Sequence, residues 1–166
     1  LRDALINSAI LDQNAKENSL AAKKLYRAYK VSKQDTAVLY YAAGNAVNAR
    51  EYDNAIAYYQ ELLDLNFTGI VVEYFANDKT TGEKQKFNSK TERDLVCKSG
   101  NFINPLDIST ESKRGDILRN MTLIYVSTNN SEKATELMQK ARKENPEDIA
   151  LMRAEAEMYY NAGDMV

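Results

Sequence analysis

Along most of the chain, apolar residues recur at three- and four-residue intervals, the spacing that gathers them on one face of a helix. Leu118, Met121, Thr122 and Tyr125 form one stripe, and Ala134, Leu137, Met138 and Ala141 form another. Tyr52, Ala55, Tyr59 and Leu62 make a third, and Ala21 or Ala22, Leu25, Tyr26 and Ala28 a fourth. The pattern predicts helices over 3–16 and 19–32, a pair within 37–67, a pair within 111–146 and one helix over 149–161. Arg50-Glu51, Asn129-Asn130 and Ala162-Gly163-Asp164 read as the turns, with Ser131 capping the helix after the second of them. Between 68 and 110 the helical period is lost. Ile70 to Phe75 is β-branched and aromatic, which favours a strand. Asn77 to Gly82 reads as a hairpin loop and Glu83 to Phe87 as the return strand. Ser89-Lys90-Thr91-Glu92 is a capping box opening a short helix that Gly100 stops after Ser99. Asn104-Pro105 then begins an irregular run to Thr110.

The helices repeat. Leu118, Arg119 and Tyr125 are followed 34 residues later by Met152, Arg153 and Tyr159, and Thr122 is matched by the small Ala156. Two helices per 34 residues is the period of the tetratricopeptide repeat (TPR), and the stretch 37–67 resembles that family closely. Tyr40 stands at its aromatic place. Gly44 stands at its small place, where the second helix crosses and no side chain fits, and Phe67 replaces its usual Pro. The resemblance implies an all-α solenoid of helix-turn-helix units wound as a right-handed superhelix. The expected organisation is a degenerate first pair at 1–36, a repeat at 37–67, an inserted β-hairpin and short helix at 68–110, a repeat at 111–146 and a first helix at 147–166. A half repeat would leave apolar surface bare, so the native chain is expected to continue past Val166. Its opening on Leu1 reads as a processed or trimmed segment. Glu73-Tyr74-Phe75-Ala76, Arg93-Asp94-Leu95 and Glu111-Ser112-Lys113-Arg114 resemble a group of multi-repeat TPR proteins of Bacteroidetes bacteria. That resemblance implies the periplasm or cell envelope as location.

Composition narrows the chemistry. With no His, every Ser-His-Asp, Cys-His or His-ligated zinc arrangement is excluded within the chain. Cys97 stands alone, so there is no internal disulfide and no thiolate metal cage; it is read as a thiol packed within the insertion. No Gly-rich phosphate loop occurs. No enzyme activity, metal or cofactor is expected. The net charge of −2 gives no global pull toward nucleic acid, and no stretch is apolar enough to span a membrane. The charge alternates, however: +3 over 1–36, −3 over 37–67, +3 over 113–145 and −4 over 146–166. That alternation predicts neighbour-to-neighbour ion pairing.

What remains is recognition of a protein or peptide, which TPR arrays perform in a concave groove lined by first helices. The resemblance places Tyr41, Asn45 and Asn48 on that groove, then Arg119, Asn120 and Leu123, then Arg153, Glu157 and Tyr160. Arg119 and Arg153, stacked on adjacent helices, could hold a carboxylate, and Asn45 and Asn48 a peptide backbone. The competing reading is a solvated face with Arg153 paired to Glu157. Tyr41 replaces the first Lys of the family's carboxylate clamp, which argues against chaperone-tail binding. Lys23, Arg27 and Lys30 share one helix face, and a solvated face is the expected reading. Tyr40, Tyr52, Tyr59, Tyr125 and Tyr159 are expected in the core, with Tyr29 and Tyr58 free for a partner surface. Arg114-Gly115-Asp116 and the sequons at Asn66, Asn120 and Asn129 read as chance matches. The expected function is a protein-interaction scaffold acting through the groove, the insertion or both. The alternative is a structural subunit of an envelope complex that oligomerises through the ends of its array.

Overall fold

The computed structural model describes residues 1–144 and 146–162. Among them are eight helices and three strands: α1 (Arg2–Asn14), α2 (Asn18–Val31), α3 (Thr36–Asn48), α4 (Tyr52–Asp64), β1 (Val72–Asp78), β2 (Lys84–Phe87), α5 (Lys90–Lys98), β3 (Phe102–Ser109), α6 (Arg114–Ser127), α7 (Ser131–Glu144) and α8 (Ile149–Ala162). The turn expected at Ala162-Gly163-Asp164 falls mostly outside the described residues, and Ala162 still belongs to α8. The chain divides into two compact units, Leu1–Phe67 with Lys113–Val166, and Thr68–Ser112.

In the helical unit each helix packs on its successor, and α4 is followed by α6. The short links make neighbours antiparallel. Four helix ends share one device. Lys16, Arg50, Asn66 and Asn129 adopt positive φ (53° to 63°) one residue beyond the cap. After each, the next N–H reaches back to a carbonyl five residues earlier: Glu17 to Asp12, Glu51 to Ala46, Phe67 to Leu62 and Asn130 to Tyr125. This double back-bond satisfies carbonyls that a helix end leaves open. The device also carries the repeat. Lys16 and Arg50 are 34 residues apart, and Asn129 would follow Arg50 by the same interval without the 45 residues of Thr68–Ser112. It fixes the register of the first pair, with its turn at Lys16.

The core is made of small residues at helix crossings and larger ones between them. Ala21, Ala28, Ala42, Ala43, Ala46 and Ala55 are fully buried, and Leu39, Leu62, Ile117, Leu118, Met138 and Leu151 fill the space around them. Three expectations are corrected here. Tyr29 and Tyr58 are core residues: Tyr29, 1% exposed, donates its hydroxyl to Glu61 Oε1 at 2.7 Å, and Tyr58 stacks on Tyr26 with centroids 4.3 Å apart. Tyr159 is exposed, because its face of α8 has no covering helix among the described residues. Gly44 is not a contact position, since a Cβ built on it meets nothing within 4 Å. Glycine inside a helix costs about 0.5–1 kcal/mol relative to Ala, so Gly44→Ala is expected to stabilise the fold by about that amount in urea unfolding. A loss of stability would mean that another element crosses there.

Charge alternation appears as pairing between consecutive segments. Lys23 reaches Glu51 at 3.3 Å, Arg119 reaches Asp148 at 3.3 Å and Arg142 reaches Glu155 at 3.3 Å. Each such half-exposed pair contributes little, about 0–1 kcal/mol, but together they favour one order of neighbours.

The smaller unit is a three-stranded antiparallel sheet in the order β2-β1-β3, so the expected hairpin is one strand short. The run after Asn104-Pro105 is the strand β3, not irregular chain. Pro is excluded from central strands but tolerated at an edge or bulge. Here it has both: β3 is an edge, and Asn104, at φ 52°, and Pro105 form a bulge where Phe75 pairs with Leu106 and Asn77 with Ile103. The hairpin loop is tied by the Asp78 carboxylate, which accepts from the N–H groups of Thr80 and Thr81 at 2.8 and 2.9 Å and is thereby held below the usual carboxylate range. Ser89 caps α5 by accepting from Glu92 N at 3.1 Å, and Glu92 returns a bond to Asn88 N at 3.0 Å. Arg93 is buried where α5 meets the sheet. It bonds Asp107 at 2.6 Å and Asp94 at 2.7 Å and lies over the Tyr74 ring.

Candidate functional site

The site residues inferred from sequence fall into two groups. On α3, Tyr41 is 61% exposed and Asn48 is also open. Asn45 does not present an open amide. It is 4% exposed, and its Nδ2 donates to the Tyr41 carbonyl at 2.9 Å, leaving only Oδ1 without a partner. An i to i−4 bond of this kind is local to the helix, so Asn45 reads first as a core amide.

On α6 and α8 the geometry is more favourable. Arg119, Leu123, Ile149, Arg153, Ala154 and Glu157 line one hollow of about 470 Å³. Arg119, Leu123, Arg153 and Glu157 come together because positions 34 apart in a repeat lie on neighbouring first helices. The two arginines differ in state. Arg119 is half-buried, with Nη2 on Asp116 Oδ1 at 2.6 Å and Nη1 on Asp148 Oδ2 at 3.3 Å. Its donors are therefore largely committed, and a symmetric two-arginine clamp is not formed. Arg153 is exposed and makes no ion pair among the described residues; the pairing with Glu157 expected of a solvated face is absent. The Asp116–Arg119 pair was legible from its i, i+3 spacing. Asp148, in a different segment, was not.

Asn120 serves the fold. Its Nδ2 donates to the Tyr59 hydroxyl at 3.0 Å, tying α6 to α4. Burial pushes the Tyr59 phenol up, and the Asn120 amide, by favouring the phenolate, partly opposes that. Burial also drives Tyr40 to about 12, with the Asp116 carboxylate adding to it. Tyr160, 70% exposed, lies on α8 and is not part of the hollow wall.

Arg114-Gly115-Asp116 sits in the first turn of α6 with Gly115 buried, so it is no exposed adhesion loop. No group of three or more potential metal ligands occurs among the described residues, and no helix is long and apolar enough to cross a membrane. The arrangement offers a cation, an apolar wall of Leu123, Ile149 and Ala154, and a carboxylate at Glu157, which suits a side chain or chain end better than a reacting group.

No protein-family model and no curated protein matches the sequence. Among solved structures, the chain superposes on that of PilF from Pseudomonas aeruginosa, a TPR-containing protein, with a TM-score of 0.54 at 16% identity. The match covers 98% of this chain and 54% of PilF, so the chain spans about half the length of that structure. At this identity the likeness is one of fold: a mostly helical, TPR-like protein carrying a small antiparallel sheet.

Proposed function

We propose that this TPR-like fold is a protein-interaction module whose helix pairs continue as a right-handed solenoid, with the α6–α8 hollow on its concave groove. The observation that carries the reading is the convergence of Arg119, Leu123, Arg153 and Glu157 on one hollow, with Arg153 making no ion pair among the described residues. A partner segment would set an apolar side chain against Leu123, Ile149 and Ala154 and an acidic group or chain end on Arg153. A charge-assisted bond of this kind contributes about 1.5–3 kcal/mol. Arg119, held by Asp116 and Asp148, would shape the wall more than grip the ligand. The function is not enzymatic. The resemblance to Bacteroidetes envelope proteins supports a periplasmic or envelope location, and the reading divides the chain into a repeat array of 1–36, 37–67, 111–146 and 147–166 with one insertion at 68–110.

The test is crosslinking capture of partners in native cells with the wild-type chain and with Arg153→Glu. Loss of one interfacial anchor of about 2 kcal/mol corresponds to a drop of roughly thirtyfold in affinity. Partner recovery should fall accordingly, with helical circular dichroism and sedimentation unchanged. Equal recovery would sink the groove reading.

Exposed apolar faces support a second reading, that of an assembly subunit. Ile10, Leu11 and Leu20 on the first pair and Met152, Tyr159 and Tyr160 on α8 stand open among the described residues. Under this reading the chain self-associates, and Leu11→Lys returns it to a monomer in sedimentation while partner capture is unaffected.

A further inference from the structure

The sheet of the smaller unit has one covered face and one open face. Strand alternation and register put Tyr74, Ala76, Phe87 and Asp107 on the covered side, where Ala76, Phe87 and Arg93 of α5 are buried. The opposite side carries Glu73, Phe75, Lys84, Lys86, Leu106 and Ile108, with Ile103 across from Asn77 beyond the bulge. On this side Ile103 is 43% and Leu106 47% exposed, although they flank an aromatic ring.

The charges of the two sides differ in the same way. On the α5 side Lys90 is paired with Asp94, and the buried Arg93 with Asp94 and Asp107. On the open side Glu73 is taken by Lys86, and Lys84 has no carboxylate among the described residues. Its ammonium lies 4.7 Å from the centroid of the Phe75 ring instead. That is a weak resting place for a cation.

We propose that this open face is a docking surface for an amphipathic, acidic helix of a partner protein. The helix would lay its apolar stripe over Phe75, Ile103, Leu106 and Ile108 and bring a carboxylate to Lys84. Both edges of the sheet are ill suited to an added strand, which is why the face and not an edge is assigned. The β2 edge is four residues long and carries Lys84 and Lys86, while the β3 edge is interrupted by the Asn104-Pro105 bulge. A second copy of the chain is disfavoured as occupant, since its own face would set lysines against lysines and offer no uncommitted carboxylate. A helix on the open side would complete three layers around the sheet, the arrangement that buries both faces.

The experiment uses the whole chain labelled for NMR and two synthetic amphipathic helical peptides that share a leucine stripe, one flanked by Glu and one by Lys. The Glu-flanked peptide should shift the amide signals of Phe75, Ile103, Leu106 and Ile108. Leu106→Glu and Lys84→Glu should each weaken it about tenfold or more, and Lys84→Glu should bind the Lys-flanked peptide better than wild type does. Ile103 and Leu106 are already half exposed, so Ile103→Ser serves as a second surface variant should Leu106→Glu misfold. The proposal is overturned if both peptides bind alike, if the shifts lie outside this face, or if the wild type forms a dimer that Leu106→Glu dissolves.

Discussion

Tyr59→Ala is expected to destabilise the helical unit by about 3–5 kcal/mol, the range for removing a large buried aromatic side chain. Tyr59 is 1% exposed in α4, and its hydroxyl holds Asn120 of α6. It thus helps to join the helices lying on either side of the insertion in sequence. Tyr59→Phe isolates the hydroxyl: leaving the Asn120 amide without its acceptor should cost about 1–3 kcal/mol. Urea unfolding followed by circular dichroism measures both. If Tyr59→Ala costs less than Tyr59→Phe, the ring is not packed as described.

The second large effect is alkaline unfolding. Burial raises Tyr29 and Tyr40 to about 12 from an ordinary value near 10, with Glu61 adding to the first and Asp116 to the second. Tyr58 and Tyr59 are raised as well, by burial above all. A raised folded-state value means that the unfolded chain loses its protons first as pH rises. Stability is therefore full below pH 10 and falls progressively between 10 and 12, because linkage gives each of these tyrosines a share of the loss. Phenolate absorbance from these four should appear together with loss of helix. Their ionisation in a chain that keeps its full helical signal would contradict the packing of α2, α3 and α4.

Much of this fold was legible in the chain because it is built from local signals. The 34-residue interval, the Asn129 turn and the Ser89–Glu92 capping box each sit within a few residues of the element they define, and each stands where the pattern put it. What escaped depended on neighbours distant in sequence. Tyr29 and Tyr58 look like surface positions on their own helices; Glu61 encloses the first and Tyr26 the second. Gly44 resembles a crossing glycine, yet whether a crossing occurs there depends on a second helix and not on α3. The strand β3 was hidden by Pro105, whose cost is absorbed by a bulge that can be identified only once β1 is its neighbour. The same holds for the candidate site. Repeat spacing nominated Arg119 and Arg153 as equals; Asp148 engages Arg119, whereas Arg153 makes no ion pair among the described residues.

The helices before and after the insertion pack as one array, α4 directly against α6. The ends of the inserted unit lie side by side: Ser112 Oγ donates to the Thr68 carbonyl at 3.3 Å, and Thr110 N donates to Val71 O at 2.9 Å. A short Gly-Ser link from Phe67 to Lys113 can therefore replace Thr68–Ser112. The decisive measurement is urea unfolding of that excised chain by circular dichroism, with and without Tyr59→Ala. The expected result is a single cooperative transition, a higher helical signal per residue, and a Tyr59→Ala penalty equal to that in the intact chain. Two separate transitions, or a lost Tyr59→Ala penalty, would show that the helices before and after the insertion do not form one body.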